Sequence, residues 1–279
     1  MKPLALQVAQ RSCIGARSRN EDCLAVEHRG GYWCLVLSDG AGGHDDGARA
    51  AQLVVARVLA GFRSRPPIDG RDLSELLLDA HDAVVAAQRE RPVRAALAPM
   101  HATVVALVID TFKRVALWGH VGDSRLYQWR GGQLNAVTRD DSVMQWVLET
   151  GLVEASRLQT LPNRGVLLAA LGSVEEATPH VSPRCDLELT DAFLLCSDGW
   201  WSALDPPTIS AALAAASSPE AWLDAMMEVT TGRADPRQDN FSAIACWIAE
   251  SLGAGECASG GETWPPRPPA RLPQRSSSG

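Results

Sequence analysis

Four apolar stretches of strand length follow one another at Ala102 to Ile109, Arg114 to Val121, Ser124 to Trp129 and Gln133 to Val137, joined by links of two to four residues. Links that short cannot carry a helical crossover, so neighbouring strands must run antiparallel and an alternating doubly wound fold is excluded. Gly131-Gly132 suits a two-residue hairpin turn between the last two. Hydrophobic patterning predicts further strands at residues 4–10, 23–27, 33–37, 193–196 and 241–248. It predicts helices at 48–61, 72–91, 140–159, 208–216 and 219–231, the second with Leu73, Leu76, Leu77, Ala80, Val84 and Ala87 on one face. With 46% of 279 residues hydrophobic, there is ample chain for a sizeable core in one large domain or two small ones.

Two of the strands end alike. Leu35-Val36-Leu37-Ser38-Asp39-Gly40 and Leu194-Leu195-Cys196-Ser197-Asp198-Gly199 each deliver a carboxylate from an apolar run into a turn. Taken singly, Asp39 or Asp45 reads as the cap of the next helix, with the glycines after Asp39 making a tight turn. Repetition of the design suggests two walls of one site. Asp22, Asp123 and Asp239 also stand at element boundaries, and no histidine or cysteine accompanies the five acids at ligand spacing. Oxygen-only donor sets select hard cations, here Mg²⁺ or Mn²⁺. Five converging carboxylates repel one another, whereas two divalent ions nearly neutralise four of them. A two-metal site matches hydrolysis of a phosphate ester, and Arg17 supplies a guanidinium suited to gripping two phosphate oxygens.

These residues fall into five motifs: Arg17-Ser18-Arg19-Asn20-Glu21-Asp22, Ser38-Asp39-Gly40-Ala41-Gly42-Gly43-His44, Gly122-Asp123-Ser124-Arg125-Leu126-Tyr127, Ser197-Asp198-Gly199-Trp200-Trp201 and Gln238-Asp239-Asn240-Phe241-Ser242. In this order and spacing, over residues 6 to 249, the chain resembles the metal-dependent protein phosphatases, the PPM or type 2C serine/threonine phosphatases, in their bacterial branch. The resemblance implies an α+β fold, a four-layer αββα sandwich of two central antiparallel β-sheets flanked by helices, with a flap at about 139–172. It implies a catalytic domain over 1–249 that hydrolyses phosphoserine and phosphothreonine with water activated by two Mn²⁺ or Mg²⁺ ions. Carried over by motif, Asp39 bridges both metals, the Gly40 carbonyl ligates one, Asp198 and Asp239 hold the other, and Asp22 acts through water on a metal. Asp123 matches the place of a third, weaker metal and Arg17 the phosphate-binding arginine, with Asn240 supporting the site from behind. Animal members carry a histidine directly after Asp-Gly, where this chain has Ala41. The proton donor to the leaving oxygen is therefore either His44 or a water on a metal. The flap departs from the family at Asp140-Asp141-Ser142 and Leu161-Pro162-Asn163-Arg164-Gly165.

Partners implied are phosphorylated proteins, with a cognate Ser/Thr kinase and its substrates. The alternatives are a catalytically weak phosphoprotein-binding module, which typically lacks metal carboxylates that are all present here, and a phosphatase of small phosphate esters. A net charge of −7 argues against a nucleic-acid surface. Neither a signal-peptide pattern nor an apolar run of bilayer length is seen, so a cytoplasmic monomer is expected. Seven scattered cysteines read as reduced thiols, and residues 250–279, rich in Pro, Ser and Arg, as a disordered tail. Trp33, Trp118, Trp146, Trp222 and Trp247 read as packing residues, and His28, His81, His101, His120 and His180 as incidental.

Overall fold

A computed structural model describes residues 2–42, 46–91, 100–151, 166–173 and 177–250. The chain opens with β1 (Leu4–Cys13), β2 (Asp22–Arg29) and β3 (Tyr32–Ala41), followed by helices α1 (Asp46–Ser64) and α2 (Gly70–Arg89). Next come β4 (His101–Ala102), β5 (Val104–Asp110), β6 (Val115–Val121), β7 (Arg125–Arg130), β8 (Gln133–Val137) and α3 (Val143–Thr150). The remainder is β9 (His180–Val181), β10 (Cys185–Asp186), β11 (Asp191–Cys196), α4 (Asp198–Trp201), α5 (Pro206–Ala215), α6 (Pro219–Gly232) and β12 (Phe241–Glu250). One sheet runs β1-β12-β11-β7-β8, and the other runs β10-β6-β5-β3-β2 with β4 on β3 and β9 on β6. All of these pairings are antiparallel, as the short links require.

Three hydrophobic cores stack into four layers. Strand residues alternate between faces, so Leu35, Leu37, Val105 and Leu107 meet Leu126, Phe193, Leu195 and Ile244 between the sheets. Their neighbours Cys34, Val36, Ala106 and Val108 point the other way, onto α1 and α2. The opposite sheet turns Trp129, Leu194 and Trp247 onto α5 and α6, where Trp129 and Trp222 meet edge to face at 5.3 Å. The six residues predicted for the apolar face of α2 are all buried. Leu73, Leu76, Leu77 and Val84 each contribute about 1.5–3 kcal/mol by leaving water, and the two alanines less.

Element ends differ from the sequence expectations because their partners are remote. The first strands run further than their apolar cores: Asp22 and Asp39 lie inside β2 and β3, and Gly40 and Ala41 still pair with β4. Of the helix predicted at 140–159, the described residues form α3, with Ser142 accepting from the Gln145 N–H and Gly151, at φ 65°, closing it, while 152–159 lie outside the described residues. Of the run Asp140-Asp141-Ser142, whose residue types all suit a helix cap, only Ser142 caps it. Asp140 grips Arg125 through two bonds of 2.8 and 2.6 Å, and Asp141 bonds His180 and the Gly122 N–H.

The incidental reading of the histidines gives way likewise. His120 stacks on His180 at 5.2 Å, and His81 Nδ1 accepts from the Gly172 N–H. Trp146 is 50% exposed rather than packed, whereas Trp222 and Trp247 are core. Among the described residues the cysteines are free. Glu250 completes β12 opposite Leu4, and the expected tail from 251 onward lies outside the described residues. No helix among the described residues is long and apolar enough to cross a membrane.

Candidate metal centre

The sheets bring the five acids to one end of the sandwich. Asp22 and Asp39 are direct cross-strand partners, which places two like charges opposite each other. Asp198 arrives from the other sheet at the first position of α4, two residues past the end of β11, and Asp239 from the loop that enters β12. A cleft of about 580 Å³ opens between them, lined by Asp39, Asp123, Asp198, Asp239 and the Gly40 backbone, with Arg17 on its rim.

Short polar bonds fix the walls. Thr103 holds Asp39 from both sides of the chain: its N–H donates to the Asp39 carbonyl at 2.8 Å and its hydroxyl accepts from the Asp39 N–H at 3.0 Å. The serines of the two Ser-Asp-Gly repeats are both used. Ser38 donates to the Thr103 carbonyl at 2.6 Å, and Ser197 donates to Asp22 Oδ2 at 2.8 Å instead of capping α4. The Asp123 carbonyl accepts from Trp201 Nε1 at 2.8 Å, and Arg125 lies 3.6 Å over the same indole. Ser197, Thr103 and Trp201 were not singled out in the sequence as parts of the site; for the first, the repeated Ser before Asp-Gly was the available signal.

Glycine is required at two positions by close approach. A Cβ on Gly40 would lie 2.0 Å from the Gly47 carbonyl in the first turn of α1, and one on Gly199 would lie 2.1 Å from the Asn240 carbonyl. Gly40 therefore stays a strand residue with its backbone pressed under a helix, rather than forming the tight turn expected. Asn240 is 5% exposed and binds the Ile14 and Arg19 carbonyls and the Glu21 N–H, each at 2.8 Å. Arg17 lines the same cleft as Asp39, and its Nη2 pairs with Asp239 Oδ2 at 2.5 Å. His44 and residues 152–165 of the expected flap lie outside the described residues.

The electrostatics suit a site for cations. Burial first, then the charges of Asp22, Asp198, Asp123 and Asp239, drive the Asp39 carboxyl well above its usual range. Asp39 opens on the cleft, yet protein crowds its remaining sides. Burial likewise pushes Asp123 up to about 8 and Asp22 up to about 6, and raises Asp198. Asp22 Oδ1 and Asp198 Oδ1 are buried with no hydrogen-bond partner. Among the described residues, no three acidic, histidine or cysteine side chains are already gathered as a ligand cluster. The orphaned oxygens, in an oxygen-only donor set, fit divalent ions.

A pH dependence follows from these shifts. Unfolded carboxyls titrate near about 3.9, so the metal-free fold holds the Asp22 and Asp123 protons more tightly than the unfolded chain does. That contribution to stability is complete below about pH 4 and is lost as pH rises through about 6 and about 8. Thermal scans in chelator are expected to show the melting temperature falling by about 5 °C between about pH 6 and about pH 8. Mn²⁺, which binds the charged carboxylates, is expected to raise it more at the higher pH. A melting temperature that climbs over this window in chelator would contradict the carboxylate assignment.

The family model described as Protein phosphatase 2C matches residues 9–240. The chain is 33% identical over 211 residues to the serine/threonine protein phosphatase PstP of Mycobacterium tuberculosis, covering 75% of this chain. It spans only 39% of the length of that relative. The crystal structure of the catalytic domain of PstP in complex with two manganese ions superposes with a TM-score of 0.76 at 27% identity, covering 88% of this chain and 100% of that one. PppA, described as a key regulatory component of T6SS in Pseudomonas aeruginosa, superposes with a TM-score of 0.71 at 26% identity over 88% of this chain and 99% of its own.

Proposed function

Because this chain belongs to the protein phosphatase 2C family, we propose that it is a metal-dependent hydrolase of phosphoserine and phosphothreonine in proteins. The observation that carries this reading is the convergence of Asp39, Asp123, Asp198 and Asp239 on one cleft with a guanidinium on its rim, Asp22 standing directly across the strands from Asp39, and a buried carboxylate oxygen of Asp22 and of Asp198 left without a hydrogen-bond partner. Asp39 and the Gly40 carbonyl, with Asp198 and Asp239, would hold two Mn²⁺ or Mg²⁺ ions, Asp22 would act through water, and Asp123 would hold a third, weaker ion. Such ions supply charge neutralisation and a water of lowered pKa in line with phosphorus.

The chain's own residues do the rest. Arg17, held to Asp239 while its side chain is 58% exposed, is placed to exchange that partner for two phosphate oxygens. Asn240 fixes the loop on which Arg17 rides. His44 is the side-chain candidate for protonating the leaving serine or threonine oxygen.

The test is release of phosphate from a phosphothreonine peptide and from p-nitrophenyl phosphate by the full chain with Mn²⁺. Turnover that needs the metal is expected. Arg17→Ala is expected to raise KM by about tenfold or more, with Arg17→Lys recovering only part, since an ammonium lacks the planar fork. Absence of Mn²⁺-dependent release sinks the reading, and turnover of small metabolite esters in preference to peptides would shift it to the narrower alternative. PppA's description as a regulatory component supports a regulatory role for this chain. On this reading the protein is a cytoplasmic monomer in bacterial signalling that opposes a Ser/Thr kinase. Residues 1–249 form its catalytic unit, with a flap at 139–172 and a disordered tail.

A further inference from the structure

A second groove, of about 710 Å³, adjoins the carboxylate cleft. Asp123, Asp198 and Asp239 line both, so the two are continuous. One wall of the groove is Met144 and Trp201, and the other is the segment from Arg233 to Gln238. Resting on the phosphatase reading, we infer that this groove seats the stretch of substrate chain adjoining the phosphorylated residue, and that Arg237 selects an acidic side chain there.

Both walls are built to stay in place. Arg233 follows α6 and donates to the Ala203 carbonyl, and Ala234, at φ 48°, turns the chain sharply. Asp235 then accepts the Arg237 N–H at 2.8 Å, its carbonyl accepts the Gln238 N–H at 3.0 Å, and Gln238 Nε2 donates to the Gly199 carbonyl at 2.9 Å. The backbone is thus pinned while the Arg237 side chain is 89% exposed, with one loose contact to Asp235 at 3.5 Å. Across the groove the Trp201 indole is fixed by its bond to the Asp123 carbonyl and by Arg125 over its face.

The composition says what such a groove takes. A rigid indole and an adaptable thioether accept varied side chains, which suits a peptide whose sequence changes from substrate to substrate. Charge is the selective element. Arg233 and Arg237 outnumber Asp235 along the outer wall, and the three aspartates at the inner end are the ones assigned to cations. A phosphate entering the cleft sets the register, so a carboxylate on a neighbouring residue meets the guanidinium of Arg237 at the exposed rim.

The experiment compares wild type with Arg237→Glu, full chain with Mn²⁺, on three substrates. These are p-nitrophenyl phosphate, which has no flanking chain, and two phosphothreonine peptides carrying Glu or Lys at the positions on either side. Wild type is expected to favour the Glu peptide by about tenfold in kcat/KM, expressed in KM and shrinking at high salt. In Arg237→Glu the preference is expected to vanish or invert, while p-nitrophenyl phosphate turnover holds. No preference in wild type, or an undiminished one in the variant, overturns the groove assignment and leaves the phosphatase reading standing. Absence of metal-dependent turnover of p-nitrophenyl phosphate overturns both.

Discussion

Asp39→Asn is expected to reduce Mn²⁺-dependent turnover by about 10³-fold or more and, at the same time, to raise the melting temperature of the metal-free protein by about 5 °C. The two effects have one cause. Asp39 is paired across β2 and β3 with Asp22 and feels Asp198, Asp123 and Asp239 as well, so burial and these charges lift its carboxyl well above the usual range and make the fold hold that proton more tightly than the unfolded chain does. Holding that proton costs folding free energy, because the unfolded chain ionises freely. Asn has nearly the same shape and no charge to lose, so the metal-free fold is relieved. The same change removes the carboxylate assigned to both ions, and with it the gain in melting temperature on adding Mn²⁺. Turnover within tenfold of wild type, or a metal-free protein that melts lower, would refute the assignment. A merely structural aspartate gives a fall in stability.

The parts of this molecule legible in the sequence are those that depend on neighbours along the chain. The apolar face of α2 was readable residue by residue because burial follows helical period. The short links from Ala102 to Val137 dictated antiparallel sheets, and the Ser-Asp-Gly repeat pointed to Asp39 and Asp198 as facing walls. What escaped depends on partners far away in the chain. Two-residue strands β9 and β10 exist only because β6 is there to receive them. Asp140 reads as a helix cap until Arg125 is folded beside it, and His120 and His180 meet only through the β6–β9 pairing. Gly40 carries no mark of the helix lying on it, since the Gly47 backbone that forbids a side chain arrives after a separate loop. The sequence marked Arg17 as a phosphate grip but not its resting partner; its pairing with Asp239 is a property of the loop's fixed path, which Asn240 sets.

That path is what Asn240→Ala is expected to destroy, with the sign on stability opposite to that of Asp39→Asn. One buried side chain receives the Glu21 N–H on Oδ1 and donates from Nδ2 to the Ile14 and Arg19 carbonyls, so both ends of the segment bearing Arg17 are tied to the start of β12. Alanine leaves one N–H and two carbonyls without these partners. At about 1–3 kcal/mol for each buried group left unpaired, and with the exposed loop free to relax toward water, a net loss of about 3 kcal/mol is expected. For a domain of this size that is a fall of about 10 °C in melting temperature. Turnover is expected to drop by about 10²-fold through loss of Arg17 and Asp22 placement, with proteolytic nicking appearing between residues 14 and 21. Asn240→Asp discriminates the hydrogen-bond account from simple loss of volume. It keeps the acceptor for Glu21 but turns a carboxylate toward two carbonyl oxygens, beside a site already crowded with five acids, so it should be less stable than the alanine variant in chelator. An aspartate variant as stable as wild type, or an alanine variant with unchanged melting and turnover, would show that the loop is held by something other than Asn240.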